Sequence, residues 1–295
     1  MPTRSLPTGT RLGRVTLTVS DLDAVIPFYR DVVGLTVRER RDGRAVLGVA
    51  GGDDVPEDTS SADDLLALNE DADAGPRPSD AAGLFHTAFL FPSRAALGDA
   101  LARTRDAGAR LTGASDHRVS EALYLRDPEG NGVELYRDRP RSEWPEEDGE
   151  VQMDTLPLDV DALLADRAGD ADEAGEAASA GITIGHVHLE VTDLEAAESF
   201  YVDALGFDVR QRMGTDALFV AAGGYHHHVG LNTWNRRRAA VAGTGLAEVE
   251  VLLPDDAALA AVRERLTAAA VDVSSDGDGL VALDADGIRV RLSTR

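Results

Sequence analysis

The chain has 295 residues, enough for two ordinary domains with separate cores, and its 53 acidic residues against 29 basic ones give a net charge of −24. That charge argues against nucleic acid and anionic membranes as partners, and the absence of Cys excludes disulfides and thiolate ligands, leaving His and carboxylate to hold any metal. Every basic residue is Arg, a composition that suits a high-salt habitat; no apolar run approaches the ~18 residues of a membrane span and Met1 to Gly13 carry no leader pattern, so the expected location is cytoplasmic.

In chain order, Val15, Leu17 and Val19 alternate with polar residues as a half-buried strand. Asp21 stands where a helix N-cap is wanted, Val25, Phe28, Tyr29 and Val32 share one helical face, and Gly34 follows as the C′ residue. Strands are expected at Ala45 to Val49 and Leu65 to Asn69. Gly83 to Leu101 reads as a strand, a Pro and an amphipathic helix, and Leu123 to Tyr136 (LYLRDPEGNGVELY) as two strands joined by a Gly/Asn turn. Pro140 to Ala180, rich in Asp, Glu, Ala and Gly, reads as a linker in which Leu156 to Leu164 is apolar enough to dock. Asp53 to Ser61 and Asp71 to Asp80 read as acidic solvated loops.

The chain then repeats itself. Gly185 to Val209 returns Gly13 to Val37 with 12 of 25 positions identical, including the cap Asp193 and the C′ residue Gly206. Strands Ala217 to Ala221 and His228 to Asn232 follow; Gly245 to Arg263 then matches Gly83 to Leu101, and Leu280 to Leu292 matches the final hairpin. The fold class is α+β, with four βαβββ modules at 12–72, 83–137, 182–235 and 244–293. These are expected to pair into two open-barrel cups, with domains at 10–138 and 182–295 around the linker 139–181.

Differences between the copies carry the chemistry. Arg14 and Thr16 of the first copy become His186 and His188 of the second. Glu134, flanked by Val133 and Leu135, faces either a cup interior or solvent; His86 shares a strand face with Ala88 and Leu90, where a lone His is most often structural. His226 to His228 are either a surface tract or, through His227, an inward group. Tyr124 reads equally as a cross-strand aromatic, Trp234 as wall or core, and Phe219 chiefly as core.

The motifs strand-SDL-helix-FYRDVVGL and LRDPEGNGVELY resemble the vicinal oxygen chelate superfamily of glyoxalases, bleomycin-resistance proteins and extradiol dioxygenases. Four modules with DHRVSEALYLRDPEGNGVELYRDRPRSEW and AGGYHHHVGLNTW are similar to bacterial two-domain catechol 2,3-dioxygenases. The resemblance implies metal ligands at His86, Glu134 and His186, with His188 the rival of His186 and otherwise a substrate neighbour beside Trp234. It further implies acid/base roles for His227 and Tyr124, with His117 lining the pocket. The implied cofactor is Fe(II), with Mn(II) the other candidate, and the implied partners are a small aromatic diol and O₂, in a chain that can form a homo-oligomer. The expected activity is meta cleavage of catechol or a substituted catechol to a 2-hydroxymuconic semialdehyde-type product. The other readings are a glyoxalase-like lyase or epimerase and a non-enzymatic binding protein.

A cup made from modules one and two would hold Arg14 with His86 and Glu134; one from three and four would hold His186 with Glu248 and Arg289. Arginine does not ligate iron. Pairing module two with module three collects His86, Glu134 and His186, so the site is expected at that seam, within one chain or across a dimer.

Overall fold

The computed structural model describes residues 5–49, 64–167 and 181–294; the expected loop Asp53 to Ser61 and linker residues 168–180 lie outside them. Module one comprises β1 (Arg11–Val19), α1 (Leu22–Phe28), β2 (Thr36–Arg41), β3 (Arg44–Gly48) and β4 (Asp64–Glu70). Module two comprises β5 (Gly83–Leu90), α2 (Arg94–Asp106), β6 (Gly113–Asp116), β7 (Ser120–Arg126) and β8 (Gly132–Asp138). The linker carries β9 (Glu146–Glu147), β10 (Glu150–Val151), β11 (Leu156–Pro157) and α3 (Val160–Ala165). Module three comprises β12 (Thr183–Glu190), α4 (Leu194–Glu198), β13 (Asp208–Met213), β14 (Ala217–Ala221) and β15 (Val229–Asn232). Module four comprises β16 (Gly245–Leu253), α5 (Asp256–Ala268), β17 (Val273–Asp276), β18 (Gly279–Leu283) and β19 (Arg289–Thr294).

The caps form where the sequence places them. Asp21 accepts hydrogen bonds from the amides of Asp23 and Ala24, and Asp193 from those of Glu195 and Ala196. Both helices widen into a π turn, Tyr29–Val33 and Ser199–Ala204, before Gly34 and Gly206 take φ of 94° and 96°. The π turns seat buried Tyr29 and Tyr201, whose hydroxyls donate to Asp127 (3.1 Å) and Asp284 (3.2 Å) in the turns that precede β8 and β19. Each helix thus anchors the turn of a module from the other cup.

Two sheets result, with orders β17-β18-β19-β16-β1-β4-β3-β2 and β11-β6-β7-β8-β5-β12-β15-β14-β13. One joins modules one and four; the other joins two and three within a single chain, and each sheet draws one module from 10–138 and one from 182–295. At the second seam β12 runs antiparallel to β5, with His188 opposite His86 and His186 opposite Ala88. The first seam repeats this frame, with Thr16 opposite Glu248.

Register corrects one assignment. Ala88 pairs with Glu134 across β5 and β8, and Glu250 pairs with Arg291 across β16 and β19, so Arg291, not Arg289, occupies the position of Glu134. The physical anchor is the turn aspartate: Glu134 follows Asp127, and Arg291 follows Asp284, by the same seven residues.

The linker packs more than its Leu156 to Leu164 stretch. Leu163 is buried as α3 docks on α2, and Trp144 and Val151 form a further small core with Val119. Full burial of such a side chain contributes roughly 1.5–3 kcal/mol, which ties the linker to the second cup.

Candidate metal centre

Three neighbouring strands supply the convergent groups. His86 on β5, Glu134 on β8 and His186 on β12 place one ligand atom each within 4.8 Å of one another, all buried. His86 Nε2 lies 2.9 Å and His186 Nε2 3.2 Å from the same carboxylate oxygen, Glu134 Oε2. His186 reaches this point through a bulge: β12 slips register at Gly185, and a Cβ there would lie 1.7 Å from the Tyr136 hydroxyl that packs beneath. His188 turns away over Gly230, where a Cβ would lie 2.9 Å from its ring, and packs on Phe85, Trp234 and Phe219.

The electrostatics keep these groups in metal-binding form. Burial lowers the His186 pKa to about 4, so its imidazole is neutral near pH 7 with a lone pair to give. Burial opposes ionisation of Glu134, but His186 and His86 outweigh it and hold the carboxyl well below its usual range. Buried His86 Nε2, although 2.9 Å from Glu134 Oε2, makes no hydrogen bond of good geometry, and no arginine contacts the carboxylate among the described contacts. Two imidazoles and one carboxylate around a common point, one donor atom orphaned, fit a divalent cation with open positions.

The group forms part of a cavity of about 340 Å³ whose lining includes all eight residues singled out from the sequence: His86, His117, Tyr124, Glu134, His186, His188, His227 and Trp234. Tyr124 pairs with Glu134 across β7 and β8. Burial and the Glu134 carboxylate push its phenol pKa well up, so it stays protonated. His117 Nδ1 lies 2.6 Å from the Asp154 carbonyl, which can only accept; Nε2, 2.6 Å from Tyr124 Oη, is therefore the bare nitrogen that accepts the tyrosine proton. His227 lies against His186, ring centroids 4.1 Å apart, and burial holds its pKa well below the usual range. Its segment is not strand, as β15 begins only at Val229. Phe219 is both buried and a wall of the cavity, and Trp234, 43% exposed, stands at the cavity's rim.

Other contributors escaped the sequence reading. Met153, Asp154 and Thr155 come from the linker and line the cavity, with no local signal because their role depends on where a returning segment docks. Asp138 and His226 meet at 2.8 Å behind His227. Alternation could have flagged Asp138, which shares a β8 face with Glu134 and Tyr136.

Scaffold and site together define a class. The chain matches the Glyoxalase/Bleomycin resistance protein/Dioxygenase superfamily over residues 11–135 and 183–292, and it belongs to that superfamily. It is 42% identical over 268 residues, 89% of each chain, to catechol-2,3-dioxygenase of Bacillus subtilis (strain 168). It is 32% identical over 140 residues, 43% of this chain and 63% of the relative, to biphenyl-2,3-diol 1,2-dioxygenase 3 of Rhodococcus globerulus. Glyoxalase I from Zea mays shares the fold at a TM-score of 0.56 and 18% identity, covering 96% of this chain and 92% of its own. A candidate dioxygenase structure from Bacillus subtilis subsp. subtilis str. 168 does so at 0.66 and 13% identity, over 98% and 86%. The chain is an extradiol dioxygenase-like enzyme in which His86, Glu134 and His186 could hold a metal ion. Among the described residues no helix is long and apolar enough to cross a membrane.

Proposed function

We propose that the protein cleaves catechol or a substituted catechol beside its diol, using Fe(II) held by His86, Glu134 and His186 and giving a 2-hydroxymuconic semialdehyde-type product. The observation that carries this reading is the convergence of His86, Glu134 and His186 in an apolar-walled cavity that also holds proton-handling groups. The 42% identity to a catechol-2,3-dioxygenase supports the substrate class.

Fe(II) held by His86, Glu134 and His186 would supply the electron chemistry of ring opening. The residues do the rest. Phe85, Phe219 and Trp234 hold an aromatic ring and exclude water, which strengthens every polar contact at the floor. His227, held neutral by burial, accepts a diol proton. The Tyr124 hydroxyl stays protonated and, donating to His117 Nε2, which orients it, offers its oxygen to accept a hydrogen bond from the second diol hydroxyl. His188 packs beside the substrate with Trp234.

Purified protein loaded anaerobically with Fe(II) and then given O₂ is expected to turn catechol solutions yellow as the ring opens. A metal-loaded protein that leaves catechol and a panel of substituted catechols colourless would sink the proposal.

A further inference from the structure

Behind His227 lies a row of buried polar groups that the proposed reaction does not yet use. His226 is fully buried, with Nε2 2.8 Å from Asp138 Oδ1 and Nδ1 2.7 Å from His227 Nδ1. The other Asp138 oxygen accepts from the Tyr225 hydroxyl at 2.9 Å, and Tyr225 lies 2.9 Å from the Tyr136 hydroxyl beneath His186. Asp138 is 24% exposed on its side chain, so the row runs from the cavity wall to the edge of the protein.

Hydrogen bookkeeping fixes the state of this row. A carboxylate only accepts, so His226 Nε2 carries a hydrogen; with one hydrogen on each ring, His226 Nδ1 is bare. The one proton between the two Nδ1 atoms therefore belongs to His227. That leaves His227 Nε2 bare and free for the cavity that this side chain lines.

We propose that Asp138 and His226 are positioning residues that lock His227 in the tautomer with Nε2 unprotonated, so that Nε2 is the atom that takes the diol proton. In that step the substrate O–H bond breaks as the Nε2–H bond forms, and the Nδ1 hydrogen stays on His227. The inference rests on the reading of His227 given above, and it extends the machinery by a carboxylate and an imidazole that touch no substrate.

The test joins spectroscopy to kinetics. In Zn(II)-loaded full-length protein labelled with ¹⁵N-histidine, the His227 shifts are expected to report a protonated Nδ1 and a bare Nε2. His226→Leu is expected to move them toward an Nε2-protonated ring and to lower kcat for catechol roughly 10- to 100-fold in the Fe(II) enzyme, with KM and bound metal unchanged. His226→Asn, which keeps an acceptor near the Nδ1 position, is expected to restore kcat to within about fivefold of wild type. Should His226→Leu fail to fold, Asp138→Ala, at the exposed end of the row, should produce the same tautomer shift. An Nε2-protonated His227 in wild type overturns the proposal, as does an undiminished kcat in His226→Leu or a loss traced to metal content or KM. If wild type itself leaves catechol intact, the dioxygenase reading falls while the ¹⁵N spectra still decide the tautomer.

Discussion

The two cups share one frame and fill it with opposite chemistry. In the cup of modules two and three, His186, His86 and Glu134 converge beside a cavity. Their register equivalents in the cup of modules one and four are Arg14, Glu248 and Arg291. There Arg38 pairs with Asp64 at 3.0 Å, Arg289 with Glu248 at 2.6 Å, and Arg291 with both Glu250 and Asp276. Arg14 leans on Asp64 at 3.7 Å. A carboxylate with an arginine beside it is already neutralised; one flanked by two imidazoles and no arginine still has room for a cation. The strand frame thus permits a metal centre, and the identity of the partner side chains decides whether one exists.

The sharpest way to break this contrast is to treat the two cups alike. Glu134→Gln removes the charge at the convergence point and is expected to strip the metal and cut kcat/KM by more than the ~10- to 100-fold that loss of an outer partner costs. Glu248→Gln, in the other cup, should leave kcat/KM within about twofold. Elemental analysis of metal per chain beside initial rates checks both, and a Glu134→Gln protein that keeps its metal refutes the ligand assignment.

A smaller effect is expected at Tyr124, whose register equivalent in the other cup, opposite Arg291, is Val281. Tyr124→Phe should retain metal and lower kcat about 10- to 100-fold, at or below the foot of the ~10²–10⁴ that general acid–base groups supply, because His227 remains. Steady-state rates at matched metal content decide it.

How much of this was readable in advance follows the range of the interaction. The caps Asp21 and Asp193, the stops Gly34 and Gly206 and the strand alternation are local, and they form as written. The seam between modules two and three was readable for a chemical reason, since no other pairing gathers two histidines and a carboxylate. The Gly185 bulge, the linker segment Met153 to Thr155 in the cavity wall, and Arg291 in place of Arg289 depend on register between distant strands. So does the meeting of Asp138 with His226, eighty-eight residues apart. Sequence spacing fixes which face a side chain takes and leaves open what stands opposite.

All seven histidines belong to modules two and three, so acid should separate the cups in the metal-free protein. Burial depresses His186 to about 4 and His228 to about 3, below the ~6.5 of an unfolded histidine. The unfolded chain therefore takes up protons that the folded chain refuses. Stability is intact above pH ~6.5 and falls as pH drops toward 4, by on the order of 1 kcal/mol per pH unit for each histidine. Hydrogen exchange at pH 7 and pH 5 is expected to lose protection first in β5, β8, β12 and β15, and a uniform loss across both sheets would refute the assignment.

The smallest effect tests what the ion pairs do for the first cup. Arg291, 20% exposed, stands between Glu250 at 11% and Asp276 at 48%, and Glu250 also accepts from the Arg14 amide and the Ser293 hydroxyl. Removing the guanidinium leaves Glu250 largely buried but still hydrogen-bonded, while Asp276 keeps water and Arg289 at 3.6 Å. The full ~3–5 kcal/mol cost of breaking a buried pair therefore does not apply, and Arg291→Met should destabilise by about 1–2 kcal/mol. Chemical denaturation of the metal-loaded protein measures this, and catechol turnover should not change. If the pairs in this cup carried catalysis instead of packing, turnover would fall with stability, and the contrast between the cups would collapse.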